Sequence, residues 1–156
     1  MANYTVSRFV DASAAVTVAR TMLRLVAPAN QSITVYAWWI EFDSVASSDK
    51  PIRVELLSET ATVSAPTGGT AVTPLPLTPD TAVANTTCIC DATSGEGTAT
   101  YAATAFENHF IPATGGLYVQ YPLGREIVIA KALAFRIRVT CVTNTVNMNY
   151  GAEFSE

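Results

Sequence analysis

One histidine, three cysteines and a handful of carboxylates are the groups in this chain with chemistry in reach. The histidine is His109, in Glu107-Asn108-His109-Phe110-Ile111-Pro112. To act as a general base it would need a Ser or Cys beside it and a carboxylate to orient it, and no G-x-S-x-G turn marks a nucleophile. A lone histidine ahead of an apolar pair reads instead as a packed or hydrogen-bonded side chain. Cys88 and Cys90 form a C-x-C pair, which on a strand puts both sulfurs on one face about 7 Å apart, at the far edge of disulfide reach. Zinc would need four ligands from wider-spaced pairs, so no metal is expected. Cys141 continues the inward row Phe135, Ile137, Val139 and reads as a buried thiol. Free buried thiols in odd number fit folding in a reducing cytoplasm.

Glu41 and Asp43 stand at i and i+2 on one strand face, with their backbones roughly 7 Å apart. That separation loosely suits a glycosidase pair, and Asp49 nearby suggests calcium, although no D-x-[DN]-x-[DN]-G loop is present. Any outward strand face yields such pairs. Arg136 and Arg138 also share a face read as outward, one strand after Arg125 and Glu126. An ion-pair ladder is the ordinary explanation; a contact patch for phosphate or an acidic partner is the sharper one. Gly95-Glu96-Gly97 lacks a third glycine and a strand-to-helix setting, so no dinucleotide cofactor is expected.

The elements that must position these groups read as strands. Residues 133–141 alternate Phe135, Ile137, Val139 and Cys141 against Arg136, Arg138 and Thr140. Leu117, Val119 and Tyr121 alternate with Tyr118 and Gln120, and residues 126–130 follow the Pro122-Leu123-Gly124 turn. The last strand turns Val146, Met148, Tyr150, Ala152 and Phe154 inward. Joined by short turns, these segments predict an antiparallel meander. Upstream, residues 32–42 are apolar on both faces around Trp38 and Trp39, the pattern of a central strand whose aromatics support the core. Strands are also predicted over 4–10, 21–27 and 51–57, and residues 12–20 lean to strand because of Val16-Thr17-Val18. About ten short strands in one domain over residues 1–156 predict an all-β antiparallel sandwich or jelly roll.

The 156 residues are 49% hydrophobic and 14% charged, with a net charge of -4. A solvated monomer usually carries about a quarter charged residues, so part of this exterior is expected to be covered by copies of itself or by a partner. An ordinary Thr/Ser/Asn-rich surface is the plainer alternative. No apolar run approaches the roughly 20 residues a bilayer requires, and the opening Met1-Ala2-Asn3-Tyr4 shows no signal sequence. The acidic balance argues against nucleic acid as a partner. Residues 60–79 hold no charge and four of the eight prolines, which excludes a sheet interior. They read as an extended arm laid on a neighbouring surface, or as a mobile loop. The residues for a partner interface are Ala2, Asn3, Tyr4, Thr5 and Val6 at the start. In the arm they are Pro66, Thr67, Gly68, Gly69, Val72, Pro74, Leu75, Pro76 and Leu77.

Three stretches carry a resemblance. Residues 116–129 (GLYVQYPLGREIVI), Phe135-Arg136-Ile137-Arg138-Val139-Thr140 and the closing Met148-Asn149-Tyr150-Gly151-Ala152-Glu153-Phe154 are similar to small all-β virion proteins of tailed bacteriophages. Leu23-Arg24-Leu25-Val26-Ala27-Pro28-Ala29-Asn30, the Trp38-Trp39 strand and Ile52-Arg53-Val54-Glu55-Leu56-Leu57 extend it into the N-terminal half. The resemblance implies a capsid decoration (cement) protein: a jelly-roll trimer on the outer surface of the head, clamping the major capsid protein lattice, and no enzyme. It fixes no individual functional residue. The alternative is a tail- or fibre-associated module binding carbohydrate through Tyr118 and Tyr121.

Overall fold

The computed structural model describes residues 2–13, 19–43, 50–61, 66–79, 82–92, 105–141 and 146–156. Among these are twelve strands and no helix: β1 Asn3–Ser13, β2 Arg20–Val26, β3 Ile33–Asp43, β4 Ile52–Ser58, β5 Thr70–Val72, β6 Leu75–Pro76, β7 Thr87–Cys90, β8 Glu107–Ile111, β9 Gly116–Gln120, β10 Ile127–Ile129, β11 Ala134–Thr140 and β12 Val146–Ser155. One sheet runs β10-β3-β12-β1-β6, with β9 also on β3; the other runs β5-β7-β2-β11-β4-β8. Every pairing is antiparallel. The predicted β-sandwich is therefore the architecture found.

Alternation decides what fills the space between the sheets. Trp38, Ile40, Tyr150, Phe154, Leu23, Leu25, Leu56 and Phe135 are all fully buried there, drawn from both sheets. Phe135, Ile137, Val139 and Cys141 point inward as the sequence predicts, and so do the alternate residues of β12. Burying such a row on each strand is the main stabilising term of a sandwich, roughly 1.5–3 kcal/mol for each large apolar side chain.

The meander is not formed. β9 and β10 both pair with β3, β11 lies in the other sheet between β2 and β4, and β12 returns to lie between β3 and β1. Period-two alternation says which face of a strand is dry and nothing about its neighbour, so turn geometry decides. At the β10–β11 turn Ala132 adopts φ 60°. Its amide donates to the Pro28 carbonyl at 3.1 Å, and Ala27 N–H donates to the Leu133 carbonyl at 2.9 Å. That turn is thereby pinned to the β2–β3 turn, and both carry the chain from one sheet to the other.

The Pro-rich arm lies on its own domain. β5 is added to the edge of β7 and β6 to the edge of β1, with Tyr4 opposite Pro76 and Thr5 opposite Leu75. Three residues after the edge of one sheet the chain is on the edge of the other, so residues 70–76 strap one open side of the sandwich. Prolines fit there because an edge strand leaves one row of backbone groups unpaired. Gly69 permits the approach, since a Cβ at this position would collide with the Ile89 side chain. Of the segment predicted over 12–20, Ala12 and Ser13 end β1 and Arg20 begins β2, while 14–18 lie outside the described residues.

Candidate functional site

The exposed face of the first sheet carries an open concavity. Across β1, β12, β3 and β9 the register aligns Phe9 with Asn149, Asn149 with Glu41, and Glu41 with Gly116. Neighbouring rows place Asn147 opposite Asp43, and Gly151 and Tyr118 on either side of Trp39. All these side chains project away from the core because their neighbours Phe42, Met148 and Tyr150 project into it. The result is an open cleft of about 580 Å³, walled by Phe9 and Tyr118 and floored by Glu41, Asp43, Asn147 and Asn149. Phe9 is 58% exposed and Tyr118 57%.

Two glycines shape the floor. A Cβ at Gly116 would stand 2.7 Å from Glu41 Cγ, so its absence lets the Glu41 side chain lie across β9. A Cβ at Gly151 would collide with the Trp39 ring and with the Val6 carbonyl. Trp39 therefore lies over β12, its ring stacked with Tyr118 at 6.3 Å. Trp38 alone is core; Trp39 is half-buried on the outer face, so β3 is not covered by protein on both sides as its apolar run suggests. Glu41 Oε2 accepts a hydrogen bond from Asn149 Nδ2 at 3.0 Å. Chemically the cleft offers carboxylate acceptors, carboxamides that donate and accept, and aromatic faces.

Arg136 and Arg138 do not make the surface patch read from their alternation. Arg136 is fully buried, and its Nε donates to Glu59 Oε1 at 2.6 Å. Arg24, directly opposite on β2, grips the same carboxylate through Nε and Nη2 at 2.7 and 2.9 Å. Arg136 Nη1 reaches Thr21 Oγ1 at 3.1 Å. Pointing away from the core is not the same as reaching solvent: Glu59, Arg24 and Thr21, themselves buried, gather around this guanidinium. Arg138 pairs with Glu55 at 3.0 Å, which also pairs with Arg53 at 2.7 Å. Neither arginine pairs with Glu126, whose carboxylate instead accepts from the Gly124 amide at 2.7 Å.

His109 is tied into a seam between the sheets. Its Nε2 lies 3.1 Å from Glu107 Oε2, while Glu107 Oε1 accepts from Tyr121 Oη at 2.6 Å. Trp38 Nε1 donates to the same Tyr121 oxygen at 3.0 Å, and its ring lies 5.5 Å from the His109 ring. Burial, and the hydrogen bond donated to Glu107, push the Tyr121 phenol above its ordinary range. Tyr121 is thus a structural bridge and not the exposed sugar platform considered from sequence. Cys88, Cys90 and Cys141 are buried thiols in no disulfide. The Cys88 and Cys90 sulfurs are 3.7 Å apart, much closer than the strand repeat of about 7 Å led one to expect, because the two side chains lean toward each other. That contact together with burial raises the Cys88 thiol.

The two segments read as interface meet each other. Tyr4 and Val6 are buried in the core, with Tyr4 stacked on Phe154 at 5.6 Å and donating to the Ala82 carbonyl at 3.0 Å. Ala2 exchanges backbone hydrogen bonds with Glu156 at 3.1 Å, and the Asn3 carbonyl accepts from Leu77 N–H at 2.9 Å. Pro66 and Pro74 are buried, and Gly69, Val72 and Pro76 are half-buried. Asn3, Thr67, Gly68, Leu75 and Leu77 are exposed, and Thr5 partly so. Sequence reasoning noted Glu41, Asp43 and Tyr118 but missed Phe9, Asn147 and Asn149. Their outward parity was legible; their adjacency to β3 depends on register. No protein-family model, no curated protein and no solved structure matches this chain.

Proposed function

We propose that this chain is a structural virion protein of a tailed bacteriophage, a decoration protein that binds the outer surface of the head and clamps neighbouring major capsid subunits. The observation that carries this reading is the distribution of exposed apolar side chains. Leu75 at 64% exposure, with Leu77 and Val83, lies by the strapped side of the sandwich. Phe110 at 71% on β8, with Phe106, Leu123 and Val128, lies by strands at the opposite ends of the two sheets. The core is closed without any of them. Large exposed apolar groups in number mark protein contact surfaces, and a surface this poor in charge does little to keep copies apart.

Two unlike apolar flanks on opposite sides favour head-to-tail association, which closes into a ring when the rotation permits. A trimer presenting one face to a capsid lattice fits that geometry, and the resemblance in sequence points the same way. The test uses purified protein and emptied, expanded heads of the phage that encodes it. Saturable co-sedimentation at hundreds of copies per head, with raised resistance of the heads to heat, is the expected result. Binding confined to tails, or indifference to heads at saturating protein, overturns the reading.

A further inference from the structure

We infer that the cleft between Phe9 and Tyr118 is a binding site for an uncharged oligosaccharide, stacked on the two rings and hydrogen-bonded along a floor of Glu41, Asp43, Asn147 and Asn149. This does not rest on head or tail placement, since the cleft lies on a sheet face and the apolar flanks lie at the sheet edges.

Four features select this ligand class. A volume of about 580 Å³ is that of a site for a small molecule, not of a protein interface. The walls stand on β1 and β9, three strand spacings apart, or about 14 Å, which suits an elongated ligand with a ring at each end. Sugar rings present an apolar face to an aromatic and hydroxyls at the edge. A carboxylate can accept from two hydroxyls, while a carboxamide can donate and accept at once, and the Glu41–Asn149 bond already holds one such pair in place. Charge settles the rest. Two carboxylates and no cationic side chain line the cleft, so acidic sugars and phosphates are repelled. A quaternary ammonium would use the carboxylates and a ring but, having no donor or acceptor to offer, leave both carboxamides unused. An extended peptide would need an unpaired strand edge, and this floor is made of paired strands.

Binding occurs without cleavage. Glycoside hydrolysis needs carboxyl groups on opposite sides of the scissile bond, whereas Glu41 and Asp43 rise from the same strand, two residues apart. The floor is preorganised by regular strands and by Gly116 and Gly151, so little ordering cost falls on the protein side.

Trp39, stacked on Tyr118, provides the readout. The intact protein is titrated with cellohexaose, maltohexaose, chitohexaose and mannohexaose, following tryptophan emission and saturation-transfer NMR. Hexagalacturonate and tetramethylammonium are the charged controls. At least one neutral hexamer is expected to bind with Kd on the order of micromolar to millimolar. Tyr118→Ala and Phe9→Ala are each expected to weaken it about tenfold, and Glu41→Gln severalfold, with melting temperatures unchanged. Trp39→Phe should abolish the emission change while NMR still detects binding. Four results overturn the proposal: no neutral hexamer bound at about 10 mM, binding indifferent to both aromatic variants, tighter binding of either charged control, or cleavage of a bound hexamer.

Discussion

Glu59 is a buried carboxylate between two buried guanidinium groups, Arg24 and Arg136, that face each other across adjacent strands. Like charges directly opposite on a sheet repel, so the shared carboxylate is what makes this juxtaposition tolerable. Replacing it by an amide of the same shape removes the charge and turns one of its two acceptor oxygens into a donor that faces a guanidinium N–H. Glu59→Gln should therefore cost about 3–5 kcal/mol, seen as a fall of roughly 10 °C in Tm for a chain of this size. Arg53→Gln is the control, because Arg53 is half-exposed and its pair with Glu55 is worth at most about 1 kcal/mol. Equal losses in calorimetry would show that burial does not distinguish the two sites. Alternation placed Arg136 on the side away from the core, and that much was correct. Its burial was not legible, because Glu59 lies 77 residues away and comes near only through the β4–β11 pairing.

Individual strands were readable because each carries its own period: β2, β3, β4, β9, β10, β11 and β12 fall where apolar residues alternate or run together. Their partners were not, because antiparallel neighbours here come from distant stretches, as when β1 pairs with β12. The same gap hid the cleft. Phe9, Asn149 and Glu41 form one row only through the β1–β12–β3 register, which no local pattern encodes. Gly151 is the point where that register is tightest, since any Cβ would meet both the Trp39 ring and the Val6 carbonyl of the neighbouring strand. A ring can swing away, but a ladder carbonyl cannot without parting β1 from β12. Gly151→Ala is expected to destabilise by about 2 kcal/mol and to raise amide hydrogen exchange along β1 first. A variant with wild-type stability and exchange would mean that the two strands are not held this closely. Gly115→Ala, where the nearest atom would be 3.5 Å away, is the matched substitution with room to spare.

For the whole molecule, the sandwich has two unlike apolar flanks, and their opposition makes a specific statement about assembly. Leu75 and Leu77 extend one edge, while Phe110 and Val128 lie on edge strands at the other. If one flank of each copy meets the opposite flank of the next, every interface uses both surfaces once. Leu75→Asp then disables one half of each contact and Phe110→Asp the other, so each variant alone should sediment as a monomer where the natural protein forms a closed oligomer. Mixed in equal amounts, the two still share one intact pairing, the Phe110 flank of the first against the Leu75 flank of the second, and a one-to-one dimer should appear. A two-fold contact between like flanks behaves differently: one substitution abolishes association, the other leaves it intact, and mixing restores nothing. Sedimentation velocity separates the two cases directly, and an oligomer that survives both substitutions would place the contact surface elsewhere on the molecule. Since both side chains are well exposed, the folded monomers should keep their melting temperatures to within about 1 °C, so a loss of assembly cannot be mistaken for a loss of fold.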